Sequence, residues 1–226
     1  QNATPEQVAT LRHDMGLDRP LPVRFASFVG HALTGDFGQS LFQRRPVAEV
    51  IAERLPATIE LSAAAMLFAL LLSIPLGVIA AVHRGGILDR LATVGSLFGV
   101  SLPGFWFGIL LLIVFAVDFR LLPVSGAIDF AHQPPTATGF LIIDSLLAGR
   151  LDSLGNALAH LLLPAITLGL PMAAILMRVT RASMLDVLRQ DYIVFAEAKG
   201  LSRARILALH ALKNALLPTV TVAAME

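Results

Sequence analysis

An all-α, polytopic membrane protein is the fold class this sequence predicts, and three observations predict it. Hydrophobic residues fill 56% of the 226 positions and charged residues only 15%, against about 25% charged in an ordinary soluble domain. Mean hydropathy is +0.75. Three runs without Asp, Glu, Lys or Arg, at 61–82, 91–117 and 153–177, hold 22, 27 and 25 residues. A helix needs roughly 20 apolar residues to cross about 30 Å of hydrocarbon. Ala, Leu, Met and Gly dominate these runs, without the two-residue alternation of a membrane barrel. Such a chain is neither a typical soluble enzyme nor a disordered tail. It has no Cys, which excludes disulfides, a thiol nucleophile and a Cys-ligated metal. Its net charge of +1 directs no global field at nucleic acid.

Residues 1–56 are polar, with six Arg and six acids. Within them Val47, Val50, Ile51, Arg54 and Leu55 recur at helical spacing between Pro46 and Pro56. That pattern predicts a short interfacial helix, ended by Pro56, ahead of the membrane domain at 57–226. The spans follow at about 57–82, 91–117 and 155–178. Residues 83–90 make a tight connection around Gly85-Gly86, and 118–152 a longer loop containing Pro134-Pro135. Residues 178–214 are polar. The run at 215–225 is only 11 residues long, which reads as the opening of a fourth span. Because Gln1 is no initiator and Glu226 follows an unfinished apolar run, the chain reads as a piece of a longer one.

Spans alternate sides, so 83–90 and 178–213 lie together. They carry nine Lys and Arg against eight on the opposite side, and seven of the nine lie in 178–213. The 118–152 loop is net acidic, with four Asp and two Arg. The positive-inside rule then places 178–213 in the cytoplasm. Arg178 and Arg181 read as an anchor on anionic lipid headgroups.

Two helices are legible in the polar stretch. Asp191 is a candidate cap for one over 192–199, which Gly200 ends. Ser202 is a candidate cap for a second from 203 to about 216. Tyr192, Phe195, Ala196 and Lys199 share one face, and the tip offers small residues at Ala196, Ala198 and Gly200. Ala196-Glu197-Ala198-Lys199-Gly200, followed eighteen residues after the glycine by Pro218, resembles the EAA loop of ABC importer permeases. Lys199 departs from that motif, standing where its second Ala belongs. Five further segments are similar to the B-type permeases of the oligopeptide, dipeptide and nickel group. They are Gly16-Leu17-Asp18-Arg19-Pro20-Leu21, Gly35-Asp36-Phe37-Gly38-Gln39-Ser40, residues 54–61, Ser101-Leu102-Pro103 and Leu121-Leu122-Pro123-Val124-Ser125-Gly126.

The resemblance implies a type I ABC importer transmembrane domain in the bacterial inner membrane, with six spans, the first of them before residue 1. Residues 1–56 are then extracytoplasmic and about 183–214 form the ATPase-coupling loop. The implied partners are a second permease, two cytoplasmic ATP-binding subunits that use ATP and Mg, and an extracytoplasmic solute-binding protein. The family's solutes are chiefly di- and oligopeptides, with nickel chelates and glutathione as variants.

Against that stand two rival readings. A secondary transporter or other polytopic channel not driven by ATP would need ionisable residues within its spans for ion coupling, and the three uncharged runs supply none. A membrane-embedded enzyme would need a nucleophile and base together, and His160 has no convincing partner. No Walker A loop, HExxH or GxSxG is present, so no cofactor is expected on this chain. Pro75, Pro103, Pro164 and Pro171 lie in or near spans, where proline shapes helix packing. Pro103, Pro164 and Pro171 are also candidates for a flexible wall of a gated path. His160 and Asn156 read as interfacial polar residues, with substrate passage as the lesser alternative.

Overall fold

The computed structural model describes Asp18, residues 20–40 and residues 42–225. Gln1, Gly16, Leu17, Arg19 and Glu226 lie outside the described residues. Contacts divide the chain into two units, Gln1–Pro56 and Ala57–Glu226.

In the first unit, helix α1 (Leu21–Leu33) ends where Thr34 donates its hydroxyl to the His31 carbonyl at 2.8 Å. Gly35, at φ +82°, then turns the chain. Helix α2 (Val47–Val82) begins just after a short bridge between Gln39 and Pro46. The first turns of α2 are tied down by Arg45, which pairs with both Glu49 and Glu53. Pro56 does not end a helix, contrary to expectation, because α2 runs through it unbroken. The missing N–H costs only the bond to the Ala52 carbonyl, and Ala52 is exposed, so solvent or headgroups can satisfy it. At 1.5 Å per residue α2 is about 54 Å long, more than one hydrocarbon thickness.

In the second unit, the 37-residue helix α6 (Leu151–Val187) is the hub. Ala65, Ala69, Ser73, Gly77 and Ala81 recur every four residues of α2 and are all buried. Four-residue spacing lines them up on one face, and small side chains let two backbones approach closely in lipid. Ala69 packs with Ala173 and Leu176 of α6. A Cβ added to Gly77 would stand 2.7 Å from the Thr180 Cβ, and one on Gly169 would stand 2.6 Å from the Ala65 carbonyl. Only 44% of the most apolar window of α6 is buried within the chain, so much of its apolar surface is left uncovered by the described residues.

The uncharged run at 91–117 is not one straight span. It forms α3 (Ile87–Ser101) and α4 (Gly104–Asp118), bent by 103° at Leu102-Pro103. A residue before proline is driven out of the α region. Leu102 accordingly sits at ψ 129° and Pro103 at ψ 125°. The last part of α4, Leu112–Asp118, is π-helical, and the Phe119 N–H reaches back five residues to the Val114 carbonyl at 3.0 Å.

Carboxylates hold the loop between α4 and α6 and the short helix α5 (Leu141–Leu147). Glu60 of α2 accepts from the Ile142 N–H at 2.8 Å. Asp144 is buried and accepts from the Thr138 N–H and hydroxyl and from the Gly139 N–H, at 2.7–3.0 Å. Burial pushes the Asp144 carboxyl up, but these hydrogen bonds outweigh it and hold it below the usual carboxylate range. A lowered native pKa stabilises the fold fully above the unfolded value of about 3.9 and is lost as pH falls through the native one. We expect amide-exchange protection at Thr138 and Gly139 to drop over that acid window. Asp144→Asn should show the low protection already at pH 7, with no acid step. A mutant that keeps the acid step would assign it to another group.

Candidate functional site

The residues after α6 fold into a hairpin. Gln190 is extended at ψ 146° and starts α7 (Asp191–Ala198). Asp191 therefore lies in the first turn rather than at the cap, where its charge suits the helix N-terminus. The exit from α7 is a Schellman turn: the Gly200 N–H donates to the Glu197 carbonyl at 2.9 Å, and the Leu201 N–H to the Ala196 carbonyl at 3.3 Å. Gly200 has φ +76°. Ser202 occupies the next cap position, extended at ψ 144°, although its side chain makes no capping bond.

The helix from Ser202 does not stop near residue 216. It continues as one element, α8 (Arg203–Ala223), with a π-helical segment over Ile206–Ala211 and Pro218 inside its last part. The hairpin helix and the following apolar run, expected as separate elements, are one: Arg203, Arg205 and Lys213 make its first part polar, and the helix carries on past them.

The hairpin rests on a buried apolar seat. Ile193 and Ala196 of α7 join Ile206, Ala211 and Ala215 of α8, Met184 of α6 and Ala81 of α2. Leu201 packs against the same cluster, supplying the hydrophobic contact that accompanies a Schellman turn. Ala196 thus faces inward and is 7% exposed, so it is not offered at the tip as the sequence suggested. The face left open carries Tyr192, Val194, Phe195, Glu197, Ala198 and Lys199. Lys199 Nζ lies 4.4 Å from the Phe195 ring centre, a cation–π contact that holds both side chains. Asn214 Nδ2 donates to the Tyr192 hydroxyl at 2.8 Å and to the His210 carbonyl at 3.2 Å. The first bond ties α7 to α8 just past its π-helical part, and the second reaches back within α8 to His210 of that part, where i→i+5 bonding distorts the regular ladder. Deeper in, the Thr180 and Thr219 hydroxyls meet at 3.0 Å, both fully buried, and join α6 to α8 beside Pro218.

Other candidates fall elsewhere. Pro103 stands at the α3–α4 bend, and Pro164 and Pro171 are inside α6. Gly108, His160, Pro164 and Thr167 line a cavity of about 390 Å³ between α4 and α6. Of the two residues expected as interfacial polar groups, Asn156 is partly exposed while His160 is buried, and together they latch the loop at Asp129. His160 is buried and its Nδ1 lies 2.9 Å from the Asn156 carbonyl. Asn156 in turn donates to Asp129 Oδ2 at 2.7 Å and accepts from the Asp129 N–H at 2.8 Å. Arg181 is not free to anchor headgroups either. It grips Asp89 through Nε and Nη2 at 2.6 and 2.8 Å. Asp89, Asp129, Asn214 and the two threonines escaped the sequence reading. Asp89 left one signal, as the only acid in the basic connection at 83–90.

Two family descriptions match. Residues 73–226 match "Binding-protein-dependent transport system inner membrane component", and residues 1–62 match the N-terminal region of such membrane components. The chain is 44% identical over 222 residues to a di/tripeptide transport system permease protein of Pseudomonas aeruginosa, covering 98% of this chain and 66% of that protein. It is 42% identical over 226 residues to a dipeptide transport system permease protein of Escherichia coli, covering 99% and 67%. It is 36% identical over 224 residues to a glutathione transport system permease protein of Salmonella paratyphi A, covering 99% and 64%. The chain thus spans about two thirds of the length of these relatives.

Proposed function

Because the chain belongs to the binding-protein-dependent transport system inner membrane component family, we propose that it works as one permease subunit of an ATP-driven peptide importer. It is a multi-pass inner-membrane protein of the type I importer class. In this reading the protein has no ATPase site of its own. ATP and Mg are used by two partner ATPases, a second permease completes the path, and an external binding protein delivers di- or oligopeptides. The names of the relatives support peptide as the solute class.

One observation carries the reading: an exposed helix, α7, is fixed on a buried seat that joins α2, α6 and α8. A motor that pushes on α7 moves three membrane helices at once. Such a joint needs a rigid element with an open face, and the Schellman turn plus the Ala196–Ile193 seat provides both. Driving alternate states requires the partners to bind them with different affinity.

The orientation belongs to the same proposal, with 178–214 on the motor side. These 226 residues hold no Cys, so once any Cys outside them is replaced, each introduced Cys is labelled alone. In intact cells making the full-length protein, Cys at Phe130, which is 89% exposed, should react with an impermeant thiol reagent. Cys at Arg203 should react only after permeabilisation. The reverse pattern would put α7 on the wrong side for an ATPase and end this reading. Uptake of a labelled dipeptide by the co-produced complex is the direct test of the solute class.

A further inference from the structure

The docking hairpin leaves the Asp89–Arg181 pair without a role. Asp89 is 5% exposed and sits in the first turn of α3. Besides the two bonds from Arg181, its Oδ2 accepts from the Gly85 N–H at 2.9 Å, in a turn where Gly85 has φ +77°. Both carboxylate oxygens are occupied. The planar guanidinium fixes direction as well as distance, which an ammonium would not. A buried ion pair adds little net stability because desolvation offsets the attraction, so its physical value here is positional.

Position is what the surrounding contacts supply. Thr180, next to Arg181, bonds to Thr219 of α8. Met184, one turn on, lies in the seat with Ile193 and Ala196. The last turns of α6 therefore hold the hairpin, α8 and the start of α3 together. From Asp89, α3 runs to the 103° bend at Leu102-Pro103. Along that length Gly99 lies against Ala174, where an added Cβ would stand at 3.0 Å, and the Ser96 hydroxyl is spent on its own helix at the Thr93 carbonyl. Among the described residues, the Asp89–Arg181 pair is the one side-chain hydrogen-bonded link between α3 and α6. Elsewhere Gly99 meets Leu170 as well as Ala174, contacts that are apolar and carry no direction of their own.

We propose that the Asp89–Arg181 pair is the strut that carries movement of the 191–214 hairpin to the bent α3–α4 helix pair. Asp89 and Arg181 are then positioning residues for coupling. This rests on the importer reading above, and it assigns to that reading the route from the docking helix to the membrane bend.

The test uses the full-length permease in its complete complex, reconstituted in proteoliposomes. A reporter Cys replaces Phe105, which lies just past the bend and is 74% exposed. Maleimide reactivity of this site is compared between the nucleotide-free and vanadate-trapped states. With Asp89 and Arg181 intact, reactivity should change on trapping, and the binding protein should stimulate ATP hydrolysis and dipeptide uptake. In Asp89→Asn the ATPases should co-purify at the same level and basal hydrolysis should persist. Stimulated uptake should fall about tenfold or more, the scale on which single positions modulate coupling, and the reactivity change should vanish. Should Asp89→Asn fail to assemble, Asp89→Asn/Arg181→Gln is read in its place, since it strands no charge. A neutral pair that assembles, keeps stimulated uptake and keeps the reactivity change overturns the strut alone. A neutral pair that still cannot assemble makes the contact a folding element and also overturns it. A reporter complex with the pair intact that neither takes up peptide nor couples hydrolysis overturns the importer reading, and the strut with it.

Discussion

Gly200→Val is expected to insert into the membrane normally and to abolish uptake. Gly200 sits at φ +76°, where an unbranched L-residue is already disfavoured by about 1–2 kcal/mol and a β-branched one by more. A Cβ there would meet nothing within 4 Å, so the cost is conformational and not a clash. The backbone escapes it by leaving the left-handed region, and both Schellman bonds, from Gly200 and Leu201, are lost with it. Leu201 is then withdrawn from the seat around Met184 and Ile206, and α7 loses its fixed angle. The close α2–α6 crossings at Gly77 and Gly169 lie away from this turn and are untouched. We therefore expect matched permease levels in membranes, with uptake and solute-stimulated ATP hydrolysis lost and ATPase co-purification weakened. Gly200→Asn should remain close to wild type, since Asn visits the left-handed region. Glu197→Lys should weaken docking less, because an exposed charge contributes only about 1 kcal/mol at most. Wild-type uptake and pull-down by Gly200→Val would show that 191–214 is not the force-bearing joint, and the importer reading would lose its physical support.

How much of this was legible in the sequence depends on the range of the interaction. The membrane class, the long apolar helices and the Gly200 turn follow from local composition and one glycine, and the structure shows the helices and the turn. The errors share a cause. Pro56 and Pro103 are both prolines after Leu, yet α2 passes through the first and the chain bends by 103° at the second. A proline states what it removes, an N–H and an α conformation before it. Whether the chain tolerates that depends on neighbours far away in sequence. The Asp89–Arg181 pair is separated by 92 residues, and the Thr180–Thr219 contact by 39. Periodicity carries no information about such partners. Ala196 illustrates a subtler limit. Its small size fits either a docking tip or a tight seat, and only the packing of Ile206 and Met184 chose the seat.

Small residues also set the second large effect, at the crossings of α2 and α6. Gly77→Val and Gly169→Val should each destabilise the protein enough to cut its yield after detergent extraction. A Cβ at position 77 would lie 2.7 Å from Thr180 Cβ and 2.9 Å from the Met177 carbonyl, and one at position 169 would lie 2.6 Å from the Ala65 carbonyl. The obstacles include backbone, which cannot swing aside, so the helices must separate. Overpacking of this kind costs about 1–3 kcal/mol for modest insertions, and a branched side chain against a backbone oxygen belongs at the top of that range or above it. Separation at position 77 also pulls on Thr180, whose hydroxyl holds Thr219, so loss of the seat under the hairpin should accompany the loss of stability. Gly155 is the control. It lies in the same helix α6 with nothing within 4 Å of an added Cβ, so Gly155→Ala should be neutral or slightly stabilising by helix propensity. Thermal unfolding in detergent and size-exclusion profiles distinguish the three. If Gly77→Val and Gly169→Val matched Gly155→Ala, the α2–α6 contact would be loose enough to absorb a side chain, and the close approach of backbones along the Ala65–Ala81 stripe would not be what holds the unit together.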